Sequence, residues 1–217
     1  MITVIISTVG GCGTSTMARD FAKEAKGLLI EASNRTRVQD LFLKEAPDAV
    51  EDYMDFLQGK PLHDVAIEGE GYDFIQGNIF HDLEEIDDEA FFKAIEGLGD
   101  DDVFVDLSRY REKDLVNWAK AADVIYCVVT NEPGSVRNLD RIRFVLRQNK
   151  CPAKVVVVLN RLKPGDREAL EGIENLHLDD ALFFNEVQAP SFSLQGKVAD
   201  KGDKGEKKSF WSFLKGR

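Results

Sequence analysis

Five short runs of this chain are apolar almost without interruption: "ITVIIS" (2–7), "GLLIEAS" (27–33), "DVFVDLS" (102–108), "DVIYCVVT" (123–130) and "KVVVVLN" (154–160). A strand with one wet face alternates apolar and polar residues, so runs that do not alternate describe strands covered on both faces of a parallel sheet. A weaker sixth run is "YDFIQGN" (72–78). The segments 15–26, 48–58, 87–97, 111–121 and 135–149 carry helical patterns between them. Strand alternating with helix implies right-handed crossovers. The expected fold is therefore α/β, a mostly parallel sheet flanked by helices, with ligands at the C-terminal ends of the strands.

The 217 residues suffice for one well-buried domain. Its expected extent is 1–197, because "VADKGDKGEKK" (198–208) offers little to bury and reads as a flexible linker to a short tail, 209–217. No apolar run approaches the roughly eighteen residues that span a bilayer. The N-terminus enters an apolar run without the basic segment of a secretory signal, so the expected location is cytoplasmic. Cys12, Cys127 and Cys151 lie in separate segments, and His63, His81 and His177 are scattered, which suggests neither a disulfide framework nor a metal cluster. The net charge of −11 argues against a nucleic-acid partner. That charge is uneven: residues 201–217 carry a local +4, leaving −15 on the rest. The acidic run "HDLEEIDDE" (81–89) reads as a solvated helix entry, with Asp87 or Asp88 as N-cap.

Between the first strand and the first helix lies "STVGGCGTSTMA" (7–18), where a phosphate-binding loop would sit. Gly10, Gly11 and Gly13 permit positive φ and close approach, so the amides around Cys12 can face phosphate oxygens while the helix N-terminus adds partial positive charge. Thr14 stands in the slot usually held by lysine. Ser15 stands in the slot whose hydroxyl ligates Mg²⁺, followed by Thr16.

"GGCGTST" resembles the deviant phosphate loop of the MinD/ParA family of P-loop ATPases, and the likeness runs over about residues 1–195. "GLLIEASN" resembles that family's second strand, "DVFVDLS" the strand with the switch II aspartate, here Asp106, and "VVVVLNR" the strand whose Asn-Arg pair, here Asn160 and Arg161, reaches the adenine. The resemblance implies ATP and Mg²⁺ as cofactors, with Ser15 and Asp106 toward the metal, and a homodimer. Val9 replaces the lysine that would reach a partner's nucleotide, Thr14 the lysine on the β and γ phosphates, and Ser33 the acid that would orient water, while Glu31 fills the first acidic position. Phosphoryl transfer rests on positioned charge, one supplied arginine being worth about 10³ to 10⁵ in rate. The expectation is a cradle that holds nucleotide without spending it, with no catalytic residues. Within the family, the threonine loop resembles the degenerate Walker A of TadZ/CpaE-like proteins of Flp/Tad pilus assembly, which implies partners in a pilus or secretion apparatus. The alternatives are an active ATPase or kinase drawing charge from Arg35, Arg37 or Arg109, and a DNA-partitioning factor, against which the acidic body argues.

The tail "SFWSFLKGR" places Phe210, Trp211, Phe213 and Leu214 among basic neighbours. It resembles the C-terminal membrane-targeting helix of MinD proteins and suits an anionic lipid surface, which would make the protein peripheral on the inner face of the cell membrane. Docking onto the acidic body or into a partner's groove is the other reading.

Overall fold

The computed structural model describes residues 1–33, 38–42, 50–69, 71–78, 86–99, 101–171 and 182–185. The expected domain end at 197, the linker and the tail lie outside these residues. In chain order the elements are β1 (Ile2–Ser7), α1 (Thr14–Ala25), β2 (Leu28–Glu31), a short 3-10 helix (Gln39–Phe42), α2 (Tyr53–Leu57), α3 (Leu62–Val65), β3 (Ile67–Glu68), β4 (Asp73–Ile75), α4 (Asp88–Glu96), β5 (Val103–Leu107), α5 (Glu112–Ala121), β6 (Val124–Val129), α6 (Pro133–Gln148), β7 (Lys154–Leu162), α7 (Asp166–Glu171) and β8 (Leu182–Asn185). Among the described residues the strands form one sheet, ordered β3-β4-β2-β5-β1-β6-β7-β8. β3 runs antiparallel to β4 at one edge and the other pairings are parallel.

All six apolar runs are strands of this sheet. The helix expected over 48–58 begins only at Tyr53. Asp52 stops it there: its Oδ1 accepts from the amides of Met54 at 2.7 Å and Asp55 at 3.4 Å, while Asp55 Oδ2 accepts from the Asp52 amide at 3.0 Å. Such a reciprocal cap satisfies orphan donors of the first turn and fixes the start. Asp87 caps α4 one way, its side chain accepting from the Ala90 amide at 2.7 Å.

Successive side chains of a strand point to opposite faces, and both faces here are dry. Ile5, Leu29, Phe104 and Tyr126 face α1, meeting Met17, Phe21 and Ala22. Phe21 stands edge-on to Tyr126 at 5.3 Å between ring centroids. Val4, Ile6, Ile30, Val105 and Ile125 face the other way, onto a core with Phe91, Trp118, Leu139 and Ile142. Fully buried Trp118 anchors that layer: its Nε1–H donates to the Tyr53 hydroxyl at 2.9 Å, and Phe91 packs edge-on at 5.1 Å. Cys127 is buried there and its thiol is pushed up by burial, so it stays a thiol and packs as a small apolar residue. The parallel pairing brings the C-terminal ends of β1, β2, β5 and β7 to one edge, where the site lies.

Candidate nucleotide site

The loop after β1 is held from three sides. The Thr8 amide donates to Val128 O at 3.2 Å, and its hydroxyl contacts both Val128 O and the Ser135 hydroxyl. Asn138 Nδ2 donates to Thr8 O at 2.7 Å. Farther along, buried Asn160 at the end of β7 donates through Nδ2 to Cys12 O at 2.7 Å. Asn160 Oδ1 accepts from the Arg161 amide, and the Arg161 side chain is exposed with its backbone at φ 58°. Of the Asn-Arg pair expected at the adenine, Asn160 is the one that fastens the phosphate loop.

Gly11 at φ 75° and Gly13 at φ 101° carry the backbone through the left-handed region. A Cβ on Gly10 or Gly11 would meet nothing within 4 Å, so the loop's outer surface opens on free space. Gly13 is the N-cap of α1 and supplies no side-chain cap, and the first turn carries no acid. The helix bond from the Met17 amide to Gly13 O leaves the amides of Thr14, Ser15 and Thr16 ahead of it, where an anion is stabilised by both N–H groups and helix dipole. The side chains of the loop turn inward instead. Cys12 and Thr14 are buried and their Sγ and Oγ1 lie 3.1 Å apart, while Val9 packs on the α1-side core. Neither slot where a cation was missed in the sequence points an alternative charge at the loop.

Beneath the first turn of α1 lie two buried carboxylates. Glu31 and Asp106 are register partners at the ends of β2 and β5. Burial raises the Asp106 carboxyl above its ordinary range, partly opposed by Ser15, Gln39 and Ser108 beside it. Burial also pushes Glu31 up to about 7, against amide bonds from Val38, Gly77 and Gln39 and with a further push from Asp106. Buried Gln39 joins the network: Nε2 donates to Asp106 Oδ2 at 2.9 Å and to Ser15 O at 2.8 Å. Ser33 is buried, its carbonyl taken by the Asn78 amide at 2.9 Å.

Asp106 Oδ1 is buried with no hydrogen-bond partner among the described residues, and the Ser15 group stands beside that carboxylate. A hard divalent cation takes such oxygens, so Ser15 and Asp106 fit Mg²⁺. No group of three or more His, Cys, Asp or Glu able to hold a metal occurs among the described residues, so a cation here would need oxygens from a bound phosphate to complete its shell. Sequence reasoning placed the loop, Ser15, Asp106 and Asn160 on one edge, and the structure brings them together. It missed Gln39, whose only sequence signal is a polar residue entering "QDLF", a pattern without specificity. Arg109 is exposed beyond β5, and Arg35 and Arg37 lie outside the described residues. No helix of the described residues is long and apolar enough to cross a membrane.

No family model and no curated protein matches the sequence. Solved structures match the fold. A Borrelia burgdorferi protein assigned to plasmid partition and bound to AMPPNP is 19% identical, with 85% of this chain and 84% of that one covered at a TM-score of 0.70. MinD complexed with Mg-ADP from Pyrococcus horikoshii is 19% identical, with 85% and 81% covered at 0.66. The MinC:MinD cell division complex of Aquifex aeolicus is 27% identical, with 77% and 72% covered at 0.63. Strand order, the glycine loop opening α1 and these likenesses agree: the chain has the fold of the ParA/MinD P-loop ATPases.

Proposed function

We propose that this protein binds ATP with Mg²⁺ at the loop 10–16 and holds it without appreciable turnover, as a dimeric, membrane-associated positioning or scaffold factor for a pilus or secretion apparatus. The observation that carries the reading is the uncapped N-terminus of α1 behind an open glycine loop, set over Ser15 and an unpartnered oxygen of Asp106, with the loop's own side chains turned inward. Residues 10–16 bind the phosphates through amides, and Ser15 and Asp106 hold the cation. The cation supplies charge neutralisation at the phosphates. Nothing in the loop adds the lysine charge on which transfer depends, and Ser33 in place of an acid leaves the attacking water without the group that would orient it.

The test pairs binding with turnover. ATP and Mg²⁺ are expected to raise the melting temperature of the full chain, while phosphate release stays at background. Gly13→Val should abolish the thermal shift, because the residue sits at φ 101° and a branched side chain is strained there. Thr14→Lys alone should not restore hydrolysis. An equal thermal shift in Gly13→Val would place nucleotide elsewhere, and robust Mg²⁺-dependent turnover of the native chain would favour the active-ATPase reading, with exposed Arg109 as the first residue to replace.

The membrane part of the reading rests on residues 209–217. Burying a large apolar side chain is worth roughly 1.5–3 kcal/mol, and a basic residue near an anionic surface about 1 kcal/mol. One such tail binds marginally and two bind well. Trp211→Ala combined with Phe213→Ala should release the protein from anionic vesicles in co-sedimentation, and salt should weaken binding through Lys207, Lys208 and Lys215. Equal sedimentation of the full chain and a chain ending at Lys201 would assign the tail to a protein partner.

A further inference from the structure

Gln39 is buried in a place where a polar side chain is expensive unless its hydrogen bonds are made. Half of them are. Its Nε2 bridges the Ser15 carbonyl and Asp106 Oδ2, tying the first turn of α1 to the end of β5. Its Oε1 has no partner among the described residues, and neither has Asp106 Oδ1 in the same network. Two orphaned acceptors in one buried cluster, with the Ser15 group beside it, are an arrangement that a cation or its bound water would satisfy and that a purely structural amide would not leave open. The backbone adds to this: the Val38 amide donates to Glu31 Oε1 at 2.7 Å and the Gln39 amide lies 3.5 Å from Oε2, so the segment presenting Gln39 is fastened to the second carboxylate.

Resting on the nucleotide reading above, we propose that Gln39 is a positioning residue of the cation site, clamping Asp106 against α1 through Nε2 and offering Oε1 to a water of the bound cation. Cation binding then makes residues 38–42 part of the site. Partners one step from a metal are typically worth 10- to 100-fold in metal affinity.

The probe is Mn²⁺ titrated into the full chain with AMPPNP and followed by water-proton relaxation, with a fluorescent ATP analogue titrated separately in EDTA. Gln39→Leu removes donor and acceptor and should weaken Mn²⁺ about 10-fold or more, well beyond any loss of analogue binding in EDTA. Gln39→Glu loses the donor but keeps an oxygen toward the cation, so it should bind Mn²⁺ more tightly than Gln39→Leu. A merely structural amide gives the opposite ranking, since the glutamate adds a third buried carboxylate beside Glu31 and Asp106. Hydrogen exchange on the parent needs no variant: amides of 38–42 should slow with Mg²⁺ and AMPPNP beyond AMPPNP in EDTA. Equal Mn²⁺ affinity in parent and Gln39→Leu, the reversed ranking, or exchange in 38–42 insensitive to the cation overturns the proposal. Analogue binding in EDTA without any Mn²⁺ binding overturns it and the cation half of the nucleotide reading while the phosphate-loop half stands, whereas absence of analogue binding overturns both.

Discussion

Trp118→Ala is expected to lower the unfolding free energy by about 3–5 kcal/mol, the range for emptying a fully buried aromatic site. Three losses coincide there: the indole's apolar area, its edge-on contact with Phe91, and the bond from Nε1–H to the Tyr53 hydroxyl. Tyr53→Phe isolates the last of these, leaving a buried indole N–H unpaired at about 1–3 kcal/mol. Urea unfolding of the parent and the two variants measures both numbers. A Trp118→Ala cost under about 1 kcal/mol would mean that α5 does not dock on the sheet as described.

The second large effect depends on pH. Glu31 titrates near 7 in the folded chain and at its ordinary 4.5 when exposed, so between those values the folded state holds a proton that the unfolded state has released. Stability contributed by protonated Glu31 is therefore greatest near pH 4.5 and is lost as pH rises through about 7. Each unit of difference is worth about 1.4 kcal/mol, so the loss approaches about 3 kcal/mol by pH 8. Glu31→Gln cannot ionise. Measured in EDTA, the stability of the parent relative to this variant should fall across that window and flatten above it, with the carboxylates that do not interact with Glu31 cancelling in the difference and Asp106 titrating together with it. A difference that stays level from pH 4.5 to 8 would mean that Glu31 is ionised throughout, its amide bonds to Val38, Gly77 and Gln39 outweighing burial.

The sheet was legible because two-sided burial forces apolar runs, and no other common environment produces five of them spaced by helical segments. β3 and β8 were not legible. β3 is two residues long on an edge, where register with Phe74 and Asp73 rather than its own apolarity makes it a strand, and β8 adds four residues beside β7. The start of α2 was misplaced because the apolar pattern extends upstream of the point where the Asp52 cap ends it. In the site, the glycines, Ser15 and Asp106 announce themselves, since their residue types at those spacings have few other uses. Gln39 does not, because its role arises only when α1, β5 and residues 38–42 converge. Glu31 was legible as an acidic residue, but its raised titration depends on how completely the fold excludes water around it.

β1 lies in the interior of the sheet between β5 and β6, and this sets an order of events during synthesis. Ile2 pairs with Val103, and Thr3 with Val124, so β1, once made, has no sheet neighbour until the residues of β5 follow. Contacts so distant in sequence make folding slow, and an unpaired apolar strand is a template for aggregation meanwhile. The phosphate cradle waits longer still, because its carbonyl at Cys12 is fastened by Asn160. A nascent chain arrested before β7 would carry the entire glycine motif with Thr8 already held by Val128, Ser135 and Asn138 but Cys12 unfastened, so ligand-dependent protection of the loop from proteolysis should become full only once residue 160 and the rest of β7 have cleared the exit tunnel.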